Sequence, residues 1–258
     1  MNQLLSKKYS ILTFNFNHYE QFYKSDEYDP ECEYVYVTDD DTIVKQAADT
    51  PWKVILWKTD IPAFNKVFQV RYHPFKFCTT NTAIVLDGSV IIKKSLKKLV
   101  DDFLASNADL AVNVHPKRWH LPTEYSVWVN YRNYPVDMAN KHLNLMSLLG
   151  YDFNYKGQIQ ATIRICKNTS INTQIDDMTY NLIQMFNTNG YIERLDQTLY
   201  SFVVQHYFKN IKVFPMHQQV MQNDYMIWTL HDPTKIVCSE PERDQYLFNE
   251  LQKLYYLR

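Results

Sequence analysis

The segment Asn81-Thr82-Ala83-Ile84-Val85-Leu86-Asp87-Gly88-Ser89-Val90-Ile91-Ile92 constrains this chain more than any other. Its apolar run, Ala83 to Leu86, is too short for a helix of ordinary length, and Gly88 is a turn signal, so the segment reads as a strand. A strand covered on both faces of a parallel sheet shows this kind of continuous apolar run. It would bring Asp87 to the carboxyl end of the sheet, where open α/β proteins hold their ligands. The other reading of the same residues is an Asp-Gly hairpin turn with a solvated carboxylate.

Composition narrows the classes that remain. A chain of 258 residues, 46% of them hydrophobic, can bury a large core as one domain or two small ones. A formal net charge of -1 argues against a duplex-DNA binder held by overall charge, and no nucleic-acid partner is expected. With only 4 glycines there is no GxGxxG and no GxxxxGK, so any phosphate must be met by metal, basic side chains or helix N-termini. Cys32, Cys78, Cys166 and Cys238 are widely spaced and form no CxxC pair, which points to reduced, buried thiols. No run of about 18 apolar residues suggests a spanning helix. Met1 to Ser10 has no long apolar stretch of the signal-peptide kind. The expected location is cytoplasmic; the C-terminal Lys253-Leu254-Tyr255-Tyr256-Leu257-Arg258 reads first as the end of a packed helix, with a peripheral contact at the inner membrane face as the alternative.

Along the chain, strand patterns fall at Tyr9–Phe16, Glu33–Thr38, Trp52–Trp57, Asp109–Val114, Ala161–Cys166 and Ile211–Phe214. Helical patterns fall at Asn65–His73, ended by Pro74, and at Ser95–Leu104, whose apolar positions make one face. Further helices are expected over Val136–Leu149, stopped by Gly150, and over Asn172–Phe186 and Gln197–Phe208. Ser239-Glu240-Pro241-Glu242 reads as a capping box that opens a C-terminal helix to Leu257. Pro116 to Pro135 reads as a long aromatic loop, a feature often tied to function. Alternating strands and helices favour one α/β domain with a mainly parallel sheet.

Several short pieces, in order, carry a family resemblance. They are Tyr36-Val37-Thr38-Asp39-Asp40, Trp52, Arg71-Tyr72-His73-Pro74-Phe75-Lys76 and Ile84-Val85-Leu86-Asp87-Gly88-Ser89. After them come His115-Pro116-Lys117-Arg118 with Glu124, Thr162-Ile163-Arg164, and Asp196-Gln197 at a helix start. Together they resemble a GT-A glycosyltransferase, more narrowly the bacterial cell-surface polysaccharide glycosyltransferases related to plant pectin and mucilage glycosyltransferases. The resemblance implies a single GT-A, Rossmann-like domain over residues 1–258. Residues 1–90 would be its nucleotide-sugar-binding half, and 91–258 its acceptor-binding half with the C-terminal helix. It also implies a nucleotide-sugar donor, usually a UDP-sugar, a glycan or lipid-linked glycan acceptor, and a divalent metal, Mn²⁺ or Mg²⁺. GT-A enzymes commonly carry Asp-x-Asp at the end of the central strand; here Ser89 stands in place of the second acid.

On this basis the donor would meet Asp39, Asp40, Arg71, Lys76 and Asp87. Carboxylates suit uracil or ribose hydroxyls, and the two cations suit diphosphate. The acceptor would meet His115, Arg118, Trp119, Arg164 and Gln197, with Trp119 as a flat face for sugar stacking. Asp196 and Glu124 are the catalytic candidates, to orient or deprotonate the acceptor hydroxyl. Asp87 and His217 are the candidate metal ligands, with His231 as the other choice of imidazole. Each has a plainer reading. Asp39 and Asp40 would be solvated acids, Arg71 and Lys76 a helix face, and Asp196 a helix cap. At the level of the whole protein, the alternative is a catalytically silent GT-A domain that binds nucleotide or glycan within a synthesis complex.

Overall fold

Every residue of strand β1 (Tyr9–Asn15) is buried, because the strand is covered on both faces. The structure is a computed structural model that describes residues 7–113, 121–130, 135–155, 157–188, 196–209, 211–216 and 225–228. The other strands are β2 (Cys32–Thr38), β3 (Trp52–Leu56), β4 (Thr82–Asp87), β5 (Val90–Ile92), β6 (Leu110–Val112), β7 (Ile163–Lys167), β8 (Val213–Pro215) and β9 (Met226–Trp228). The helices are α1 (Asp41–Gln46), α2 (Ala63–Tyr72), α3 (Lys97–Ala105), α4 (Leu121–Asn130), α5 (Val136–Leu148), α6 (Ser170–Thr188) and α7 (Asp196–His206).

Seven strands make one sheet in the order β3-β2-β1-β4-β7-β6-β8. β1 to β4 are parallel, and β8 is parallel to β6. β7 alone runs against its neighbours β4 and β6. The fold is therefore mixed α/β, with a mostly parallel sheet flanked by helices. A second, two-stranded sheet pairs β5 with β9.

Alternation along the strands sorts the core by face. Tyr9 and Ile11 of β1, Tyr34 and Tyr36 of β2, and Ile84 and Leu86 of β4 pack with Leu99, Val100 and Phe103 of α3. Leu12, Phe14, Val35, Val37 and Val85 face the other way, against Val70 of α2. Each such aliphatic or aromatic side chain contributes about 1.5–3 kcal/mol by leaving water. At the other end of the sheet, α7 is buried nearly all round: Asp196 and every residue from Thr198 to Val204 are inside. Leu199, Tyr200, Phe202, Val203 and Val204 pack there with Ile175, Ile183 and Phe186 of α6.

Among the described residues the expected strands and helices are present with ends shifted by a few residues. Gly150 follows α5 with φ +82°, and Tyr151 N–H reaches back to the Met146 carbonyl (2.9 Å), so the chain stops the helix there as expected. Two features differ from the sequence reading. The stretch read as a long loop contains α4; its Leu121, Tyr125 and Val129, spaced by four, pack in the same core as Ala139 and Met146 of α5. Asp41–Gln46 is a short helix not foreseen, with Asp40 as its N-cap. Asp87 ends β4 as expected, and the alternative hairpin is not formed, because the chain leaves β4 for β5, which pairs with β9 in the other sheet. The expected C-terminal helix at Ser239–Leu257 lies outside the described residues. Among the described residues no helix is long and apolar enough to cross a membrane.

Candidate active site

The carboxyl ends of β1, β2 and β4 bring together residues that are far apart in sequence. At the end of β1, Asn17 and His18 both have positive φ (59° and 54°), and Tyr19 N–H meets the Phe16 carbonyl (3.4 Å). This tight turn aims both residues at the end of β2. Asn17 N–H donates to Asp39 (2.8 Å), and His18 Nδ1 lies 2.7 Å from Asp40. Asp40 also accepts from Thr42 N–H (2.8 Å). Burial pushes Asp40 up, but the bonds from Thr42 and His18 outweigh it and hold the acid below its ordinary range. Both acids proposed for the nucleoside are thus engaged inside the protein: Asp39 by the β1 turn, Asp40 as a helix cap.

Helix α2 lies across this edge and supplies two cations. Lys66 was not among the sequence candidates. Its ammonium is buried, 3.2 Å from Asp39 and 5.6 Å from the centre of the Phe16 ring. Nothing in a single sequence separates a buried lysine of this kind from a solvated one. Arg71 is more tightly held. One arm of its guanidinium (Nη2) donates to Asp87 at the end of β4, the other (Nη1) to Asp196 at the start of α7. The guanidinium lies 5.5 Å from the centre of the Phe14 ring, and its Nε–H has no acceptor. Burial works against the charge on Arg71, but Asp87 and Asp196 more than compensate and hold it protonated. Burial raises Asp87 above the usual carboxylate range; Arg71 pulls it down, and Asp196 adds to the rise.

The structure therefore brings together Arg71, Asp87 and Asp196, expected on the donor and acceptor sides separately. Other candidates stand elsewhere. Lys76 is exposed on the 3-10 turn Pro74–Lys76 after α2 and takes no part in this cluster. Arg164 was expected at the acceptor, but it is only 2% exposed, its guanidinium enclosed in the core. It forms a two-armed pair with Asp176 of α6 (3.0 Å for one arm). It also donates to Tyr200 (3.2 Å) and to the Arg71 carbonyl, between the rings of Tyr72 and Tyr200. This places it beneath the cluster as a support and not on its open side. Gln197 accepts from Ala161 N–H (3.2 Å), tying α7 to the chain ahead of β7. Glu124 is buried in the first turn of α4. His115, Arg118, Trp119, His217 and His231 lie outside the described residues.

A divalent cation of the hard class takes six or more oxygen ligands. At the end of β4 one carboxylate, Asp87, is already bonded to Arg71, and so is Asp196; Glu20 is the other acid whose charge acts on Asp87. Ser89 offers a buried hydroxyl where a second acid would stand. Among the described residues no group of three or more His, Cys, Asp or Glu is placed to hold a metal ion. This arrangement does not fit a divalent cation bound by Asp87.

No protein-family model matches the chain, and a search of curated proteins gives no match. Among solved structures, the chain is similar to mouse xyloside xylosyltransferase 1 in its apo form, at 10% identity and TM-score 0.44, over 78% of this chain and 82% of that one. It is also similar to the glycosyltransferase GlyE of Streptococcus pneumoniae, at 12% identity and TM-score 0.44, over 83% of this chain and 46% of that one. The match thus spans under half of GlyE. At this distance neither neighbour says what this chain binds or transfers.

Proposed function

We propose that this chain is a glycosyltransferase that moves a sugar from a nucleotide-sugar, a UDP-sugar by the resemblance, to a glycan acceptor in cell-surface polysaccharide synthesis. The observation that carries this reading is the Arg71 bridge. It joins Asp87, at the carboxyl end of the central strand where open α/β sheets bind ligands, to Asp196 at a helix start. Glycosyl transfer needs charge neutralised on the leaving diphosphate and an acceptor hydroxyl aimed at the sugar carbon. The two bonds of Arg71 to carboxylates use two of its five N–H donors, so it retains donors for phosphate oxygens. Lys66 adds a second cation at the same edge. In this reading the ends of β1 and β2, where Asn17 holds Asp39, would face the nucleoside, and Asp196 would orient or deprotonate the acceptor hydroxyl.

The test is a screen of UDP- and other nucleotide-sugars for nucleotide release, with and without glycan acceptors, comparing wild type with Asp196→Asn. Release that depends on acceptor and falls in the variant supports the reading. Nucleotide binding with no turnover under any condition would favour a silent binding domain, and absence of both would end the proposal.

A further inference from the structure

We propose that Arg71 occupies, between Asp87 and Asp196, the place that a divalent cation would take at the end of the central strand, so that this site uses a guanidinium where a metal is expected. The inference deepens the donor-site reading above. Its cation half is read from binding alone and does not need that reading to hold.

A metal at this place would first have to displace Arg71. Asp87 and Asp196 are both bonded to the same guanidinium, one on each arm. The Arg71 side chain is only 10% exposed, and it lies against the Phe14 ring. Its main chain is anchored at this point, since its carbonyl accepts from Arg164, which is fixed in turn by Asp176. A cation that took both carboxylates would leave a buried guanidinium with no counter-charge, and such a group is strongly unfavourable. The planar fork of arginine, by contrast, offers two outward N–H arms suited to two acids at once.

The geometry makes a positive prediction. If Arg71 stands in the cation's place, removing its charge should free two adjacent carboxylates and create a metal site. Mn²⁺ is titrated into the full chain, followed by calorimetry and by the electron spin resonance of free Mn²⁺. Wild type should show no saturable site. Arg71→Met, which keeps an unbranched apolar side chain over Phe14, should gain one, and Arg71→Met/Asp87→Asn should lose it again. A folded Arg71→Met that gains no site overturns the proposal. So does saturable Mn²⁺ binding by wild type that Asp87→Asn abolishes. If Arg71→Met does not fold, by circular dichroism, wild type and Asp87→Asn decide alone. UDP binding gives a separate arm: its affinity should be the same in EDTA and in Mn²⁺. A gain of about tenfold or more in Mn²⁺, lost in Asp87→Asn, would overturn the proposal by linkage. Should no nucleotide bind at all, the glycosyltransferase reading fails while the Mn²⁺ titration still decides this one.

Discussion

The guanidinium of Arg164 donates to the backbone carbonyl of Arg71, so one buried arginine fixes the position of another. Arg164 comes from β7, its acid Asp176 from α6, its hydroxyl partner Tyr200 from α7, and Arg71 from α2. Four elements are thereby tied at one point under the Arg71 cluster. Tyr200 lies one turn after Asp196 on α7, so the same contact sets the height of that acid.

Asp176→Ala should therefore destabilise the protein strongly. Removing one partner of a buried ion pair leaves an uncompensated charge and costs about 3–5 kcal/mol. In a domain of this size that lowers Tm by on the order of 10 °C, measurable by differential scanning calorimetry. Arg164→Met with Asp176→Leu should cost much less than the sum of the two single changes, because no charge remains buried. Equal, additive losses would show that the two residues act apart.

Arg71→Lys should lower kcat and raise the donor KM together. A residue that only bound diphosphate would raise KM alone, since that charge is present in ground and transition states alike. Arg71 also holds Asp196, and an ammonium cannot bridge two acids as a planar fork does. The check is steady-state kinetics with the donor found in the nucleotide-sugar screen. An effect confined to KM would place Arg71 on the donor side only.

Gly88→Ala should disturb Asp87 without touching a ligand directly. A Cβ built on Gly88 would lie 2.7 Å from the Phe14 carbonyl oxygen and 3.3 Å from Glu20 Cγ. The backbone of β1 cannot give way as a side-chain tip could, so strain costs about 1–3 kcal/mol. Because Asp87 adjoins Gly88, turnover should fall more than thermal stability suggests. Wild-type kcat in Gly88→Ala would separate the turn from the chemistry.

His142 gives the protein an acid sensitivity unrelated to the site. It is buried in α5 with its ring 5.0 Å from that of Phe186, and burial lowers its pKa from the ordinary 6.5 to about 4. The unfolded chain then binds the proton more readily than the folded one. Stability is full above pH 6.5 and is lost as pH falls from there to about 4, by on the order of 3 kcal/mol. Thermal melts across that window should decline less steeply for His142→Phe than for wild type. Parallel declines would show that other groups carry the acid response.

Local pattern by itself determined most of the secondary structure around the candidate site, though not α1 or α4. The apolar runs of β1, β2 and β4 announced strands, that of β4 one covered on both faces; the spacing of Leu99, Val100 and Phe103 announced the face of α3, and Gly150 marked the end of α5. These signals are readable because burial recurs every two or about every four residues within one element. The same logic put Asp87 at a strand end. Only the tertiary structure decided which charges meet. Arg71 finds Asp87 16 residues away and Asp196 125 residues away, and Arg164 finds the carbonyl of Arg71 93 residues away. Periodicity tells which side of a helix is inside, but it does not say which distant acid will neutralise an arginine there. That choice depends on the crossing of α2 over the ends of β1 and β4 and on the docking of α7 beside it. For the same reason Lys66 went unread as a buried cation, and Arg164, expected to face a ligand, proved to be a support within the core.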